Sequence, residues 1–503
     1  LKAEVIIRAD GSADTGMGHV VRCLALADML KGKFRVTFAI CKPDAQTSSL
    51  IREVVDELIE LPVAKNLLED AKKLLSHVNP GNIIVLDGYI FKTDYQESLL
   101  AGGCKLVCID DLRSWHHCAD AIINHAEGVL PGDYKNELYT GVYTGLEYVL
   151  LRKQFLSKSS SVKEIKKPEK VFISMGAADV NNLTMKFAEV LIGMDGVKEI
   201  HLMLGSVNPN IGEVTALAEK TENVKVQMHV NISATELYDL IRKCDVSICP
   251  ASSISLESCA TGIGLVTGFT ADNQHGILNG ISKFKAGYNL GNMIDISVEE
   301  LSVQLKRLFS HPAVFNEMIR NQQKMIDGRS PERITEIFHK LAEEKLRFRY
   351  ARVEDVDLYF KWANDPLVRE NSFNQEPIVY SNHVKWFNSR LVSPDSKLFF
   401  FYDLYNVPAG QVRIEKINGE HIIGISIDQA FRGKGMGVEM LNRSTHEYFK
   451  KENGIEICAL IKKNNLTSYK IFTKAGFTGD LLTDEKLGEV FRLIKKGGVN
   501  ERY

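Results

Sequence analysis

Two glycine-bracketed turns in this 503-residue chain combine backbone freedom with side chains able to do chemistry. The first, TGMGHVVRC at residues 15–23, brings Gly16, Gly18 and His19 after the apolar run VIIRAD, which ends with Arg8, Ala9 and Asp10. The second, RGKGMG, consists of Arg432, Gly433, Lys434, Gly435, Met436 and Gly437 and follows the alternating run HIIGISID. A strand, a tight glycine turn and a helix start form an anion site, because unpaired N–H groups and the helix dipole point the same way. His19 opens its helix, where the dipole favours the neutral imidazole that can serve as a base. Two such sites, far apart in the chain, imply two reactions in one polypeptide.

Further candidates fall where apolar runs end. Asp87, Gly88 and Tyr89 follow IIVLD, and Asp110 and Asp111 follow LVCI. Gly176, Ala177, Ala178 and Asp179 follow VFISM at a strand-to-helix turn, where small residues allow backbone N–H groups to approach a diphosphate. Ser252 and Ser253 suit a helix cap or a phosphate contact, and Glu257 suits acceptance from ribose hydroxyls. The segment ADNQHG adds Asn273 and Gln274.

The elements that must position these residues show in the apolar pattern. Runs at 5–8, 36–40, 83–86, 106–109 and 121–124 alternate with helical segments and predict a doubly wound parallel sheet. A polar stretch at 158–170 reads as a linker, and the pattern restarts at 171–176, with further strands at 200–204, 224–227, 246–249 and 265–267. Residues 312–345 read as helical. From 346 the texture changes to a helix near 355–362, a strand-rich middle at 398–428 and a long helix after RGKGMG, an α+β pattern. The expected fold class is α/β, with two facing doubly wound domains at 1–157 and 158–345 followed by an α+β domain at 346–503. In open α/β sheets ligands sit beyond the carboxyl ends of the strands, so the cleft between the two facing halves is the expected site.

Composition narrows the class. Lys+Arg number 62 against Asp+Glu 64, so no basic excess calls for nucleic acid or a membrane surface. The nine cysteines contain no C-x-x-C pair and fit free thiols in a reducing compartment. The segment LKAEVIIRAD reads as a strand rather than a signal peptide, and no apolar run approaches the ~20 residues of a membrane helix, so a cytoplasmic protein is expected. His116, His117, Cys118 and His125 lie close in sequence, but their spacing matches no structural zinc pattern, and no metal is expected.

The ordered set RADGSADTGMGHVVRCLALA, LDGYIF, CIDDL, ISMGAADVNN, SSISLE and DNQHG resembles the UDP-sugar hydrolases of pseudaminic acid biosynthesis, relatives of GT-B glycosyltransferases, over roughly residues 4–340. The resemblance implies that water displaces UDP from the anomeric carbon of UDP-2,4-diacetamido-2,4,6-trideoxy-β-L-altrose with inversion. It also implies catalytic roles for His19, Tyr89 and Asn273. A diphosphate leaves as a stable anion, so N–H groups around Gly176–Asp179 and one base form a sufficient minimum. Alanine at 177, where glycine is common, requires a negative φ.

RGKGMG, its preceding strand and the tail NLTSYKIFTKAGF resemble the GNAT acetyltransferase superfamily over about residues 347–497. That resemblance implies acetyl-CoA as co-substrate, held by residues 432–437 with Asn465 and Ser468. Many members protonate the departing thiolate with a tyrosine four residues after that serine; here the position is Phe472, with Tyr469 nearby as a substitute. Glu415, Asp428 and His421 are possible bases for the attacking amine. The preferred expectation is consecutive acetylation and hydrolysis of one UDP-sugar. The alternatives are a GT-B glycosyltransferase, or a sugar-nucleotide-binding module, fused to an acetyltransferase of another amine.

Overall fold

A computed structural model describes residues 2–11, 17–156, 163–176, 179–205, 208–450, 452 and 454–497. The chain divides into two compact units, Leu1–Asn136 with Thr140–Ala342, and Glu137–Tyr139 with Glu343–Tyr503.

Among the described residues, the larger unit contains two large parallel sheets, besides a short parallel pair of His116–His117 with Lys135–Asn136. In the first, β1 (Glu4–Ala9), β2 (Arg35–Cys41), β3 (Glu57–Leu61), β4 (Ile83–Asp87), β5 (Lys105–Ile109), β6 (Ala121–Asn124) and β7 (Gly141–Thr144) lie in the order β3-β2-β1-β4-β5-β6-β7. Val5, Ile6 and Ile7 are fully buried, as continuous apolar runs require when helices cover both faces. The order reverses between β1 and β4, the switch point where an α/β crevice forms. In the second sheet, β8 (Lys170–Ser174), β9 (Glu199–Leu204), β10 (Lys225–Val230), β11 (Val246–Pro250), β12 (Gly264–Phe269) and β13 (Tyr288–Asn292) lie in the order β10-β9-β8-β11-β12-β13. Its reversal lies between β8 and β11.

Three helices matter for the site: α1 (Gly18–Leu30) after β1, α2 (Leu183–Ile192) after β8, and α3 (Ser253–Thr261) after β11. The helical stretch expected at 312–345 is two helices, Pro312–Met325 and Ser330–Glu343, separated at a left-handed Gly328. The second returns to the first sheet's core, where Ile334, Phe338 and Leu341 pack with Val5, Leu26 and Leu30. Edge strands β3, β7 and β13 were not foreseen; their residues are mostly half-exposed and lack an apolar run.

The smaller unit is built on one mixed sheet. Its strands are β14 (Leu346–Tyr350), β15 (Ser396–Asp403), β16 (Pro408–Ile417), β17 (Glu420–Ile427), β18 (Glu456–Lys462), β19 (Thr478–Asp484) and β20 (Gly488–Lys496), in the order β14-β15-β16-β17-β18-β20-β19. All pairs are antiparallel except β17–β18. Helices α4 (Val356–Ala363), α5 (Pro366–Asn371) and α6 (Tyr380–Leu391) precede β15, α7 (Met436–Phe449) follows β17, and α8 (Leu466–Lys474) follows β18. No helix among the described residues is long and apolar enough to cross a membrane.

Candidate functional site

At the first switch point, α1 starts with no side-chain cap, and a Cβ on Gly18 would meet nothing within 4 Å. His19 Nδ1 lies 2.7 Å from Oδ1 of Asp87, the last residue of β4 and fully buried. Arg22, one helical turn after His19, grips the same carboxylate with Nη2–Oδ1 at 2.6 Å and Nε–Oδ2 at 2.8 Å. Burial alone would raise the pKa of Asp87, but the charge and hydrogen bonds of Arg22 and the contact with His19 hold it well below the usual carboxylate range. An ionised Asp87 only accepts, so His19 Nδ1 donates to it, and in the neutral ring the lone pair is on Nε2. The arrangement is that of an oriented base.

Tyr89, two residues beyond Asp87, sets its ring edge-on to His19 with centroids 4.9 Å apart. Its hydroxyl accepts from Asn273 Nδ2 at 2.9 Å and points its proton toward Asp111 Oδ2 at 3.5 Å. Burial and Asp111 raise the Tyr89 pKa, opposed by the Asn273 hydrogen bond. Asp111 also receives Arg22 Nη1 at 3.3 Å, while its Oδ1 is buried without a hydrogen-bond partner. Asn273 comes from the turn after β12, so residues from both sheets meet here. His19, Tyr89 and Asn273, separated by up to 254 positions in sequence, converge on one point. Arg22 was missed, although its i+3 spacing from His19 in HVVR places both on one helix face.

Several residues expected to contact ligand have side chains engaged within the protein. Arg8 is 1% exposed; it pairs with Asp10 at 2.5 and 2.8 Å and with Asp70 at 3.1 Å, so its donors are spent inside the protein. Asp10 also accepts from the Cys41 N–H at 2.9 Å. Gln274 closes its own turn, accepting from Thr270 N–H at 2.8 Å. Asp179 accepts from the N–H groups of Leu183 and Thr184 at 2.9 Å each, capping α2 with a carboxylate where the diphosphate was expected. Like charge disfavours a phosphate there. Gly176 adopts φ +95° in open space, whereas Gly16, Ala177 and Ala178 lie outside the described residues.

At the second switch point, α3 begins after Ser252, whose side chain makes no cap bond; Ser252 and Ser253 are half-exposed. This is the helix N-terminus still open to an anion. Glu257 is 3% exposed, with its two oxygens held by Arg152 at 2.7 and 2.8 Å, a partner the sequence reading did not foresee.

In the smaller unit, β17 pairs with β16 along its length but with β18 only at His421↔Ile457 and Ile422↔Cys458. The parallel strands therefore part beyond Ile422, leaving a slot that opens toward the starts of α7 and α8. Gly433 and Gly435 stand at φ +75° and +80°, a region that favours glycine, and Gly435 caps α7 without a side-chain bond. Arg432 is tied to Asp365 at 2.8 Å and to the Ile427 carbonyl at 3.0 Å, and Lys434 lies 5.2 Å over the Phe431 ring. Met436 is buried in the core. A Cβ on Gly437 would stand 3.0 Å from Ile471 and 3.1 Å from Ile427, so that glycine serves packing. Asn465 caps α8 by accepting from Ser468 N–H at 3.1 Å. With those side chains engaged within the protein, the uncapped backbone at 433–435 is what stays available to an anion. A cavity of about 470 Å³ beside it is lined by Lys361, Trp362, Asp365, Asp428, Gln429 and Ala430.

The expected acid and base groups are occupied. Phe472 is core-packed against Phe477, and the Tyr469 ring lies 4.3 Å from that of Phe491. Glu415 is paired with Arg390 and Arg413 at 2.8 and 3.1 Å. Asp428 accepts from Trp362 Nε1 at 2.9 Å and from Ala430 N–H at 3.0 Å; these bonds outweigh burial and keep it below the usual carboxylate range. His421 contacts Tyr448 Oη at 2.7 Å and sits at the closed end of the slot.

Residues 345–478 match the family model of the acetyltransferase (GNAT) domain. The chain is 28% identical to the UDP-2,4-diacetamido-2,4,6-trideoxy-β-L-altropyranose hydrolase of Campylobacter jejuni, over 51% of this chain and 87% of the relative. It is 25% identical to the uncharacterized protein MJ1062 of Methanocaldococcus jannaschii, over 94% of this chain and 96% of that protein. Acinetobacter baumannii MurG shares the fold, with a TM-score of 0.50 and 15% identity over 67% of this chain and 99% of MurG. The chain thus joins a GT-B-like α/β unit, related to a UDP-sugar hydrolase, to a GNAT domain.

Proposed function

We propose that the chain is a bifunctional enzyme acting twice on one sugar nucleotide. The GNAT domain acetylates the 4-amino group of UDP-4-amino-4,6-dideoxy-N-acetyl-β-L-altrosamine with acetyl-CoA as co-substrate. The larger unit then hydrolyses the product with inversion, releasing UDP and 2,4-diacetamido-2,4,6-trideoxy-L-altrose. The observation that carries the hydrolytic half is the convergence of Asp87-oriented His19 with Tyr89 and Asn273, read beside the hydrolase relative.

In the hydrolysis, water attacks the anomeric carbon while His19 Nε2 accepts one of its protons. The new C–O bond forms as the C–O bond to the β-phosphate breaks, and UDP departs with the electron pair. Asp87 stabilises the imidazolium that develops, and Arg22 keeps Asp87 ionised and fixed. The open N-terminus of α3, with Ser252, Ser253 and the backbone at Gly176, suits the leaving diphosphate. Tyr89 and Asn273 act as one hydrogen-bonded unit at the sugar. Glu257 remains a ribose contact in this reading only through the lone pairs Arg152 leaves free.

In the acetylation, the amine nitrogen attacks the thioester carbonyl, the C–S bond breaks and the thiolate takes a proton from water, since buried Phe472 has none to give and the half-buried Tyr469 ring packs on Phe491. The amine also gives up a proton to solvent. The glycine loop at 433–435 holds the CoA diphosphate. The GT-B-like fold also suits transfer of the sugar to an acceptor. UDP release with no added acceptor excludes that reading. His19→Ala tests the assignment: the acetylated nucleotide should accumulate without UDP, whereas unchanged UDP release overturns it.

A further inference from the structure

The sheet face covered by α4 and α6 carries a group of cations with too few counter-charges. Along β16, Val412 and Ile414 are fully buried in the core that α7 shares, so the alternating Arg413 and Glu415 project to the opposite face. Arg413 pairs in register with Leu398, which packs with Tyr359 and Trp362 of α4 and Phe387 of α6. Across the other edge it faces Gly424 of β17, and a Cβ there would stand 3.2 to 3.4 Å from the guanidinium Cζ, Nε and Nη2. The guanidinium thus lies flat across β17 where that strand has already left β18, at the rim of the slot.

Arg369, on α5, donates to the Asn374 carbonyl at 3.1 Å and to Ser372 Oγ at 3.0 Å, while its Nε is buried without a partner. Among the described residues it forms no salt bridge, and burial together with the charge of Arg413 lowers its pKa. Arg390 and Arg413 share the single carboxylate of Glu415. Like charges held together in a partly dehydrated place are costly unless an anion joins them, and guanidinium pairs match phosphate oxygens. The site is also placed to meet an acceptor. Arg432–Asp365 at 2.8 Å ties the start of α5 to the glycine-loop side of the slot, and Lys462 Nζ donates at 3.0 Å to the Glu370 carbonyl from the end of β18. Helix α5 therefore spans the slot's open end.

We propose that Arg369 and Arg413 seat the diphosphate of a nucleotide-linked amine acceptor, directing its amine to the slot. This rests on reading the acceptor as a UDP-sugar and names the residues that would select for it. The phosphates of acetyl-CoA offer the same chemistry, so both must be measured.

The experiment follows acetyl transfer by the full chain to UDP-4-amino-altrosamine and to the same amino sugar without UDP. Arg369→Gln and Arg413→Gln should each raise KM for the nucleotide acceptor by about tenfold or more, leave KM for acetyl-CoA in place, and show no such effect on the free amino sugar. Arg369→Lys should restore part of the loss, since charge returns without the planar fork. An unchanged KM, an equal loss with both acceptors, or a rise confined to acetyl-CoA overturns the seat. A wild-type chain that acetylates the free amino sugar as well as the nucleotide overturns the seat alone. One that acetylates neither overturns the UDP-sugar reading and the seat with it.

Discussion

His19 Nδ1 lies 2.7 Å from Asp87 Oδ1, and that carboxylate is fully buried at the end of the strand beside the one that precedes the helix of His19. Arg22 closes the group from the same helix face, so a histidine, an acid and a cation form one unit in which only the outer ring nitrogen is left for chemistry.

Asp87→Asn should therefore do two kinds of damage. It leaves buried Arg22 with only the longer 3.3 Å contact to Asp111 as counter-charge, a loss of up to roughly 3–5 kcal/mol of stability. It also removes the group that orients His19, lowering the rate of UDP release in the protein that still folds, with little change in KM. Chemical unfolding and steady-state kinetics on the same preparation measure both; an unaltered kcat contradicts the unit.

Arg8→Met tests the reassignment of that residue from ligand to framework. The expected result is a large loss of stability, because Asp10 and Asp70 lose their shared cation, with KM for the sugar nucleotide unchanged. A rise in KM without destabilisation would return Arg8 to the binding site.

Tyr469→Phe should leave acetyl transfer at its wild-type rate, since the ring packs on Phe491. A rate loss with an altered basic limb of the pH profile would identify Tyr469 as the missing acid.

Stability should fall as pH drops from about 6.5 toward 4. Burial pushes His117, His125 and His201 down to about 4, so each takes up a proton in the unfolded chain before it does in the folded one. Asp87 adds its share only at lower pH: its contribution is present above the ordinary carboxylate value of about 3.9 and fades as pH falls toward its depressed folded value. Urea unfolding between pH 7 and pH 5 should show this slope, and His201→Gln should reduce it.

Much of this was legible in the sequence. The central strands read as unbroken apolar runs, and the glycine turns marked both places where a strand feeds a helix. Edge strands such as Glu57–Leu61 escaped notice because half-exposed residues carry no such signal. Site residues were harder for a physical reason. An arginine or acid at a strand end reads the same whether it waits for a ligand or is already paired, and the second partner of Arg8, Asp70, is 62 positions away. The side chain of Asp179 is hidden from the sequence in the same way, since its bonds run to the next helix. The Arg22–Asp87 contact spans 65 positions and went unread, although the HVVR spacing sets Arg22 on the helix face of His19.

The most direct test of two consecutive reactions is mass spectrometry of the full chain with UDP-4-amino-4,6-dideoxy-N-acetyl-β-L-altrosamine, with and without acetyl-CoA. The expected result is UDP release only when acetyl-CoA is present, following transient formation of the acetylated nucleotide. UDP released equally well without acetyl-CoA, or acetylated nucleotide that persists with no UDP formed, would contradict it.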